Sequence, residues 1–478
     1  MDVVPQALLP TTRRALLHRL AVGQAEGRTP SLVGAVVRDG RTVWTGARSM
    51  FDDHQPTDDV QYRIGSLTKS FVAVLVLRLR DEGLLDLADP LERHLPGTPA
   101  GALAVHQLLA HTSGLAAETP GPWWERTPGE LRPDLVDVLG EQPVRHPAGR
   151  RFHYSNPGYA LLGALVARLR GAPWGEVLRR EVLEPLGMTR TTLLPQAPHA
   201  GGFAVHPWAD VMLPEPLEDT GVMAPAGQLW STAADLCRWA AFLATGDDKV
   251  LAPATAAEMR RPATEPSDRE WTAGYGLGLQ LIRRDGRLLY GHGGSMPGFL
   301  ASVWVSEADD VAAVTLANVT SGMNTTAIAA DLIRIVAEHE PRIPEPWRPL
   351  GDVDQELLAL TGPWYWGAAP FTLRLRADRA LELTALGAVG RSSRFSAEPD
   401  GTWTGLDGYY TGERLRVVRN ADGAASHLDI GSFVLTRQPY EPPTAVPGGV
   451  DPRGWHAGHG YPERFRQVGW APGSHHRE

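Results

Sequence analysis

Residues 66–82 read as a helix that is apolar on nearly every face, and one turn into it stands a lysine. A helix without a polar stripe belongs inside a fold, covered by other layers on all sides. The chain must therefore build around this segment and accommodate a buried amine. That amine is rare here: of 46 Lys+Arg residues, only Lys69 and Lys249 are lysine. Arginine stays protonated in a protein and cannot take a proton from a nucleophile, whereas a desolvated lysine can. In Ser66-Leu67-Thr68-Lys69 the serine and lysine lie at i and i+3, on one helix face. Ser66 follows Ile64-Gly65 at the helix start, where free N–H groups and the helix dipole favour a developing oxyanion. Nucleophile, base and anion-stabilising donors in one turn suit acyl transfer. Taken alone, S-x-x-K also fits a serine N-cap with a chance lysine nearby.

The remaining pattern places this helix in an α+β frame. A helix is expected over 7–25, then a hairpin over 31–46 turning at Asp39-Gly40. Gly83 suits the position just past the central helix. A long helical region punctuated by Pro and Gly runs from 85 to about 245. Strand character returns at 276–282, 287–292, 300–306 and 311–318, and a helix closes the region at 327–339. Strands from both ends of this region are expected to share one antiparallel sheet. Four prolines in 340–349 mark a stiff linker, so the divisions are 1–340 catalytic, 341–350 linker, 351–440 a small all-β barrel or sandwich, and 441–478 an irregular tail. Strands of the β domain are expected at 371–376, 380–384, 414–418 and 427–435, and Trp455 and Trp470 as anchors for the tail.

Composition narrows the function. Net charge is −9 with an isoelectric point near 6.0, which gives no basic footprint for nucleic acid. The single cysteine, Cys237, excludes an internal disulfide and reads as a buried apolar filler. No apolar run reaches membrane-spanning length, and Arg13, Arg14, His18 and Arg19 interrupt the N-terminal stretch that would form a signal peptide core. A cytoplasmic protein is expected, with no membrane partner and no cofactor.

Two further segments carry chemistry. Tyr154-Ser155-Asn156 precedes Pro157-Gly158 in a loop leading to a helix. A tyrosine of lowered pKa can relay a proton between nucleophile and leaving group. The asparagine can hold both the lysine and a substrate amide. Gly291-His292-Gly293-Gly294-Ser295 follows a strand, and its glycines allow a substrate backbone to approach the strand edge. There the Ser295 N–H can join that of Ser66 in an oxyanion hole. Each segment alone also reads as an ordinary turn.

Together, in this order, the three segments resemble the serine β-lactamase and penicillin-binding-protein superfamily, in its class C β-lactamase-like form: S-x-x-K, Tyr-x-Asn, then a Lys/His-x-Gly triplet on the edge strand. Residues 106–115, 184–188 and 225–235 match the same family's habits, and the resemblance covers roughly 5–340. It implies an antiparallel sheet sandwiched by helices beside an all-α subdomain. It assigns Ser66 as nucleophile, Lys69 as base, Tyr154 as proton relay, Asn156 as an orienting group and His292 as the cationic or hydrogen-bonding head of the triplet. His-Gly-Gly where many β-lactamases carry Lys-Thr-Gly weakens recognition of a β-lactam carboxylate. The C-terminal β domain resembles a lipocalin-like module attached to some of these hydrolases. On that resemblance Arg437 is a candidate for reaching substrate, though a surface arginine is the simpler reading. Trp123, Trp124, Trp208 and Trp230 are expected in loops bordering the cleft, with Gly293 and Gly294 along its strand edge; tryptophans also serve simply as core.

Within the family, residues 199–210 and Pro214-Glu-Pro216 look like the penicillin-binding-protein-type thioesterases, the macrocyclases of nonribosomal peptide assembly. That resemblance implies a peptidyl thioester on the phosphopantetheine arm of a carrier protein, a peptidyl-O-Ser66 ester, and displacement by the peptide's own amine, with a D-residue at the acyl position. A cytosolic esterase or D-stereospecific peptidase is the alternative. A β-lactamase ranks below both, and a catalytically silent protein using the β module as a ligand cup ranks last because every catalytic position is filled.

Overall fold

The computed structural model describes residues 8–51, 55–264, 272–344, 346–352, 354–387 and 391–440. By contacts the chain divides into Met1–Ile343 and Pro344–Glu478.

The first unit is built on a seven-stranded antiparallel sheet. Helix α1 (Pro10–Glu26) leads into the hairpin of β1 (Ser31–Arg38) and β2 (Arg41–Ser49). Asp39 and Gly40 both take positive φ, 51° and 68°, the turn whose twist suits a two-residue hairpin. After α2 (Thr68–Asp81), α3 (Asn156–Arg170) and α4 (Ala233–Thr245) come β3 (Ala273–Tyr275), β4 (Gln280–Arg284), β5 (Arg287–Met296), β6 (Phe299–Ser306), β7 (Val311–Ala317) and α5 (Thr325–His339). Strand order is β2-β1-β7-β6-β5-β4-β3, so the N-terminal hairpin pairs with the last strand, Leu32 opposite Ala317.

Both faces of the sheet are covered, and the strands show it by alternation. Leu32 and Val36 of β1 pack with α1 and α5 through Leu16, Leu20, Ile328 and Leu332. Val33, Ala35 and Val37 join the larger core that holds α2. Every residue of α2 from Thr68 to Leu77 is buried, and at roughly 1.5–3 kcal/mol per buried large apolar side chain this helix anchors the unit. It stops at Gly83, whose φ of 73° only glycine adopts without cost.

The region 85–245 is less helical than its composition suggests. Between 85 and 155 it holds only short pieces such as Val105–Leu109 and Leu135–Leu139, because prolines and positive-φ glycines such as Gly97, Gly114 and Gly140 interrupt it. A small hairpin, Phe203–Val205 with Met212–Pro214, lies where no strand is expected.

The second unit is a closed antiparallel barrel of eight strands: β8 (Gly362–Trp366), β9 (Ala369–Leu375), β10 (Leu381–Ala385), β11 (Ser393–Ala397), β12 (Trp403–Gly405), β13 (Arg414–Arg419), β14 (Ala425–Ile430) and β15 (Phe433–Thr436). Tyr365 pairs with Thr436 to close it. The single strand expected over 427–435 is two, because Gly431, with φ 64°, turns the chain back. Trp364, Leu373, Leu381, Leu383, Phe395, Leu415 and Leu428 fill the interior. The residues proposed to anchor the tail, Trp455 and Trp470, lie outside the described residues. Among the described residues no helix is long and apolar enough to cross a membrane, and no His/Cys/Asp/Glu cluster is placed to hold a metal ion.

Candidate active site

Ser66 lies in a 3₁₀ turn, Gly65–Leu67, that runs directly into α2. The turn is possible because residue 65 is glycine. Its φ is 54°, and a Cβ there would sit 2.5 Å from the Ser295 backbone nitrogen. At Gly294 a Cβ would come within 1.9 Å of the Ile64 carbonyl oxygen. These two glycines press the outer edge of β5 against the turn that carries the nucleophile. The Ser295 amide therefore lies beside that of Ser66, as a two-donor oxyanion hole requires.

Lys69 is wholly buried. Its Nζ donates to Ser66 Oγ at 2.9 Å, to Asn156 Oδ1 at 2.8 Å and to the Ala226 carbonyl at 2.6 Å. It also lies over the Tyr154 and Tyr159 rings, 4.9 and 5.6 Å from their centroids. Burial pulls its pKa down to about 7, with the charges of Glu118 and Glu125 opposing the shift. Near neutrality a large fraction of Lys69 is thus an uncharged amine within reach of the serine proton.

Asn156 opens α3, whose N-cap is Ser155. Its Nδ2 donates to Glu118 Oε1 at 2.8 Å, and the other oxygen of Glu118 accepts from Trp124 Nε1 at 2.8 Å. Glu118 thereby fixes which end of the amide faces the lysine. Asn156 was expected to hold both the lysine and a substrate amide; one of its amide hydrogens is committed to Glu118. Sequence reasoning passed over Glu118, which belongs to no motif; a carboxylate soon after His111-Thr-Ser-Gly114 was its only trace.

Tyr154 lies close to Ser66, and burial raises its pKa. This corrects the expectation of a tyrosine with a lowered pKa: Tyr154 remains a neutral phenol, able to pass a proton on but not to act as the resting base. Behind it stands an aromatic cluster. The His111 ring lies 4.1 Å from that of Tyr154, and those of Tyr159 and Tyr275 lie 5.2 and 4.8 Å from His111. His111 holds a φ of 55°, uncommon for a non-glycine residue, and its Nδ1 accepts from the Ser155 N–H at 3.0 Å. That bond ties the Tyr154–Asn156 loop in place. His111 was quoted within a family segment but given no role; its buried position could not be seen in the sequence.

His292 is buried on β5 within this cluster. Its Nε2 pairs with the Tyr275 hydroxyl at 3.1 Å and its Nδ1 with the Gly293 carbonyl. Burial and the nearby Lys69 pull its pKa down to about 3. Of the two roles expected for it, the cationic one is removed: His292 is a neutral hydrogen-bonding group whose ring centroid lies 6.3 Å from that of Tyr154. Gly293 donates its N–H to Gln280 Oε1 at 3.0 Å, so a side chain already occupies that point of the strand edge.

The outlying candidates scatter. Trp124 is buried beside Glu118, and Trp123 is half exposed with its Nε1 on Glu125. Trp230 is a core residue packed against Phe299 at 5.0 Å, while Trp208 is 89% exposed at the tip of the small hairpin. Neither is brought to the catalytic groups. In the barrel, Arg437 donates to the Ala359, Thr361 and Pro363 carbonyls and stacks 4.0 Å over Trp364. Its donors are engaged within its own unit, which matches the simpler structural reading.

The chain is similar to known proteins over both units. Residues 353–437 match a domain of unknown function, DUF7586. Penicillin-binding protein 4 of Amycolatopsis lactamdurans is 30% identical over 302 residues, 58% of this chain and 76% of the relative. Beta-lactamase-like protein 2 of Dictyostelium discoideum is 26% identical over 273 residues, and the match spans about half of each chain, 53% and 49%. Among solved structures, the octameric penicillin-binding protein homologue from Pyrococcus abyssi superposes with TM-score 0.61 at 22% identity, over 89% of this chain and 99% of its own. SurE with D-Leu gives 0.54 at 25%, over 90% and 100%, and a D-stereospecific amidohydrolase from Streptomyces gives 0.56 at 25%, over 69% and 99%. Residues 17–338 match the Beta-lactamase family, and with its nucleophile turn, its buried lysine and the His292–Ser295 segment of β5, an inner strand rather than the expected edge strand, the chain belongs to that family.

Proposed function

We propose that the chain is a serine acyltransferase that accepts a peptidyl thioester with a D-residue at the acyl position and releases it as a macrolactam. The observation that carries this reading is the Lys69 amine, 2.9 Å from Ser66 Oγ with a pKa near 7. Ser66 Oγ attacks the thioester carbonyl and gives its proton to Lys69. The oxyanion is held by the amides of Ser66 and Ser295. Tyr154, close to Ser66, passes the proton to the departing thiolate of a carrier arm. The peptide's own amine then attacks the Ser66 ester, losing its proton through the same relay, and the tethered geometry favours it over an outside nucleophile.

Two likenesses support the substrate class. SurE with D-Leu matches over both units, and the Streptomyces amidohydrolase, named D-stereospecific, matches the catalytic unit. The second reading, hydrolysis of D-configured amides or esters, uses the same residues with water as acceptor and rests on that amidohydrolase. β-Lactam turnover ranks below both, since a neutral His292 tied to Tyr275 offers no cation for the lactam carboxylate.

Mass spectrometry of protein and product after mixing with a linear peptidyl thioester ending in a D-residue tests the proposal. A Ser66 adduct followed by product lighter than the linear acid by one water supports cyclisation. An adduct followed only by linear acid moves hydrolysis to first place.

A further inference from the structure

One end of the barrel is not filled like the rest. Trp364, Leu373, Leu381, Leu383 and Phe395 are fully buried along the barrel, yet Trp366 and Tyr409 stand exposed at 44% and 59%. Beside Trp366 opens a cavity of about 230 Å³, lined also by Pro370, Phe371, Tyr410, Phe433 and Leu435. At about 30 Å³ for each water molecule's share of the liquid, it would hold roughly eight waters against walls that offer them few partners. Such a surface favours an apolar guest.

The lining carries one fixed charge, Arg391. Its guanidinium is stacked on Tyr409 at 4.3 Å and Phe433 at 4.4 Å, and lies 5.6 Å from the Trp366 ring centroid. It also lies close to the Tyr410 hydroxyl. The Tyr409 and Phe433 rings stand at 82° to each other with centroids 6.2 Å apart, so they flank the guanidinium on two adjacent sides, and its N–H donors on the remaining sides face away from them. Among the described residues Arg391 has no ion pair with any carboxylate. The rings hold the cation at the margin of an apolar cavity.

We infer that the barrel binds a small organic carboxylate at this end, its apolar body among Phe371, Tyr410, Phe433 and Leu435 and its anionic head on the N–H edge of Arg391. One planar cation suits one planar monoanion, held by two parallel hydrogen bonds. A dianionic phosphate would leave a charge unmatched in an aromatic surround. Its residues all belong to the second unit, and the inference does not depend on the proposed reaction.

The test uses the full chain carrying Ser66→Ala, so that no acyl chemistry intervenes. The probe is 4-(trifluoromethyl)phenylacetate, followed by fluorine NMR, with its carboxamide as the neutral control. Expected are saturable binding of the carboxylate, binding of the carboxamide weaker by about 10-fold or more, and a similar loss for the carboxylate in Arg391→Gln. Arg391→Lys, which keeps the charge but not the planar edge, should fall between. Thermal unfolding of Arg391→Gln checks that the barrel remains folded; should it not, Phe433→Leu, which shortens the aromatic wall, replaces it and should weaken the carboxylate in the same sense. Equal binding of acid and amide, binding unchanged in the variant, no saturable binding, or displacement by inorganic phosphate at lower concentration than by the acid would each overturn the inference.

Discussion

The two units bury different things. The barrel interior is almost entirely apolar; its buried polar residues are Ser393, His427 and Thr436. The catalytic unit buries Lys69, His111, His292 and Asn156 together in one place. Burying an amine and two imidazoles costs several kcal/mol unless each is partnered or neutral, and here both happen. Lys69 has three acceptors, and the histidines are held uncharged by the same burial. The barrel is thus packed for stability, while the first unit gives up stability to hold an amine whose protonation can change near neutral pH.

Six substitutions, taken in four steps, test that contrast. The largest effect is on chemistry: Ser66→Ala should abolish the acyl-enzyme adduct, and Lys69→Met should slow acylation by about 10³-fold or more. If the burial of Lys69 is a functional cost, Lys69→Met should leave thermal stability unchanged or raise it, read by calorimetry. A large fall in stability there would break the comparison. In the barrel the reverse is expected. Trp364→Ala should cost about 3–5 kcal/mol of barrel stability, while acylation of Ser66 by a small activated ester continues at the parent rate.

The third change moves a pH profile. Protonated Lys69 cannot accept the serine proton, so acylation should fall about tenfold per unit as pH drops below the Lys69 pKa. Glu118 favours the charged lysine, so Glu118→Gln should shift this acid limb to lower pH, as well as loosening Asn156. His292→Asn should lower the rate but leave an acid limb in place, because His292 is already neutral throughout that range. The smallest effect is Arg437→Gln. It should cost about 1 kcal/mol through lost carbonyl contacts and leave acylation unchanged. A changed substrate profile in that variant would restore a role in substrate binding.

Much of this was legible in the sequence where local rules suffice. The all-apolar helix over 66–82 announced a buried α2, and the scarcity of lysine singled out Lys69. Asp39-Gly40 announced its hairpin because the required φ values restrict which residues can be there. Strand character in the sequence located β6 and β7 within a residue or two. What local rules missed came from long-range packing. The barrel strands Gly362–Trp366, Ser393–Ala397 and Trp403–Gly405 are short and mixed in character, and only the closure of the barrel makes them strands. Glu118 acquires its role from groups 38 and 6 residues away, Asn156 and Trp124. The pKa of Tyr154 was misjudged because its direction is set by how completely the fold covers it, which no motif states.

The most direct measurement is the single-turnover rate of Ser66 acylation by a D-configured thioester, followed by intact-protein mass spectrometry across pH 5 to 10. A neutral Lys69 acting as base predicts an acid limb with an apparent pKa near 7 in the parent protein, displaced downward in Glu118→Gln and absent along with the activity in Lys69→Met. A rate that is flat through pH 7, or a limb that survives loss of the lysine, would contradict the account.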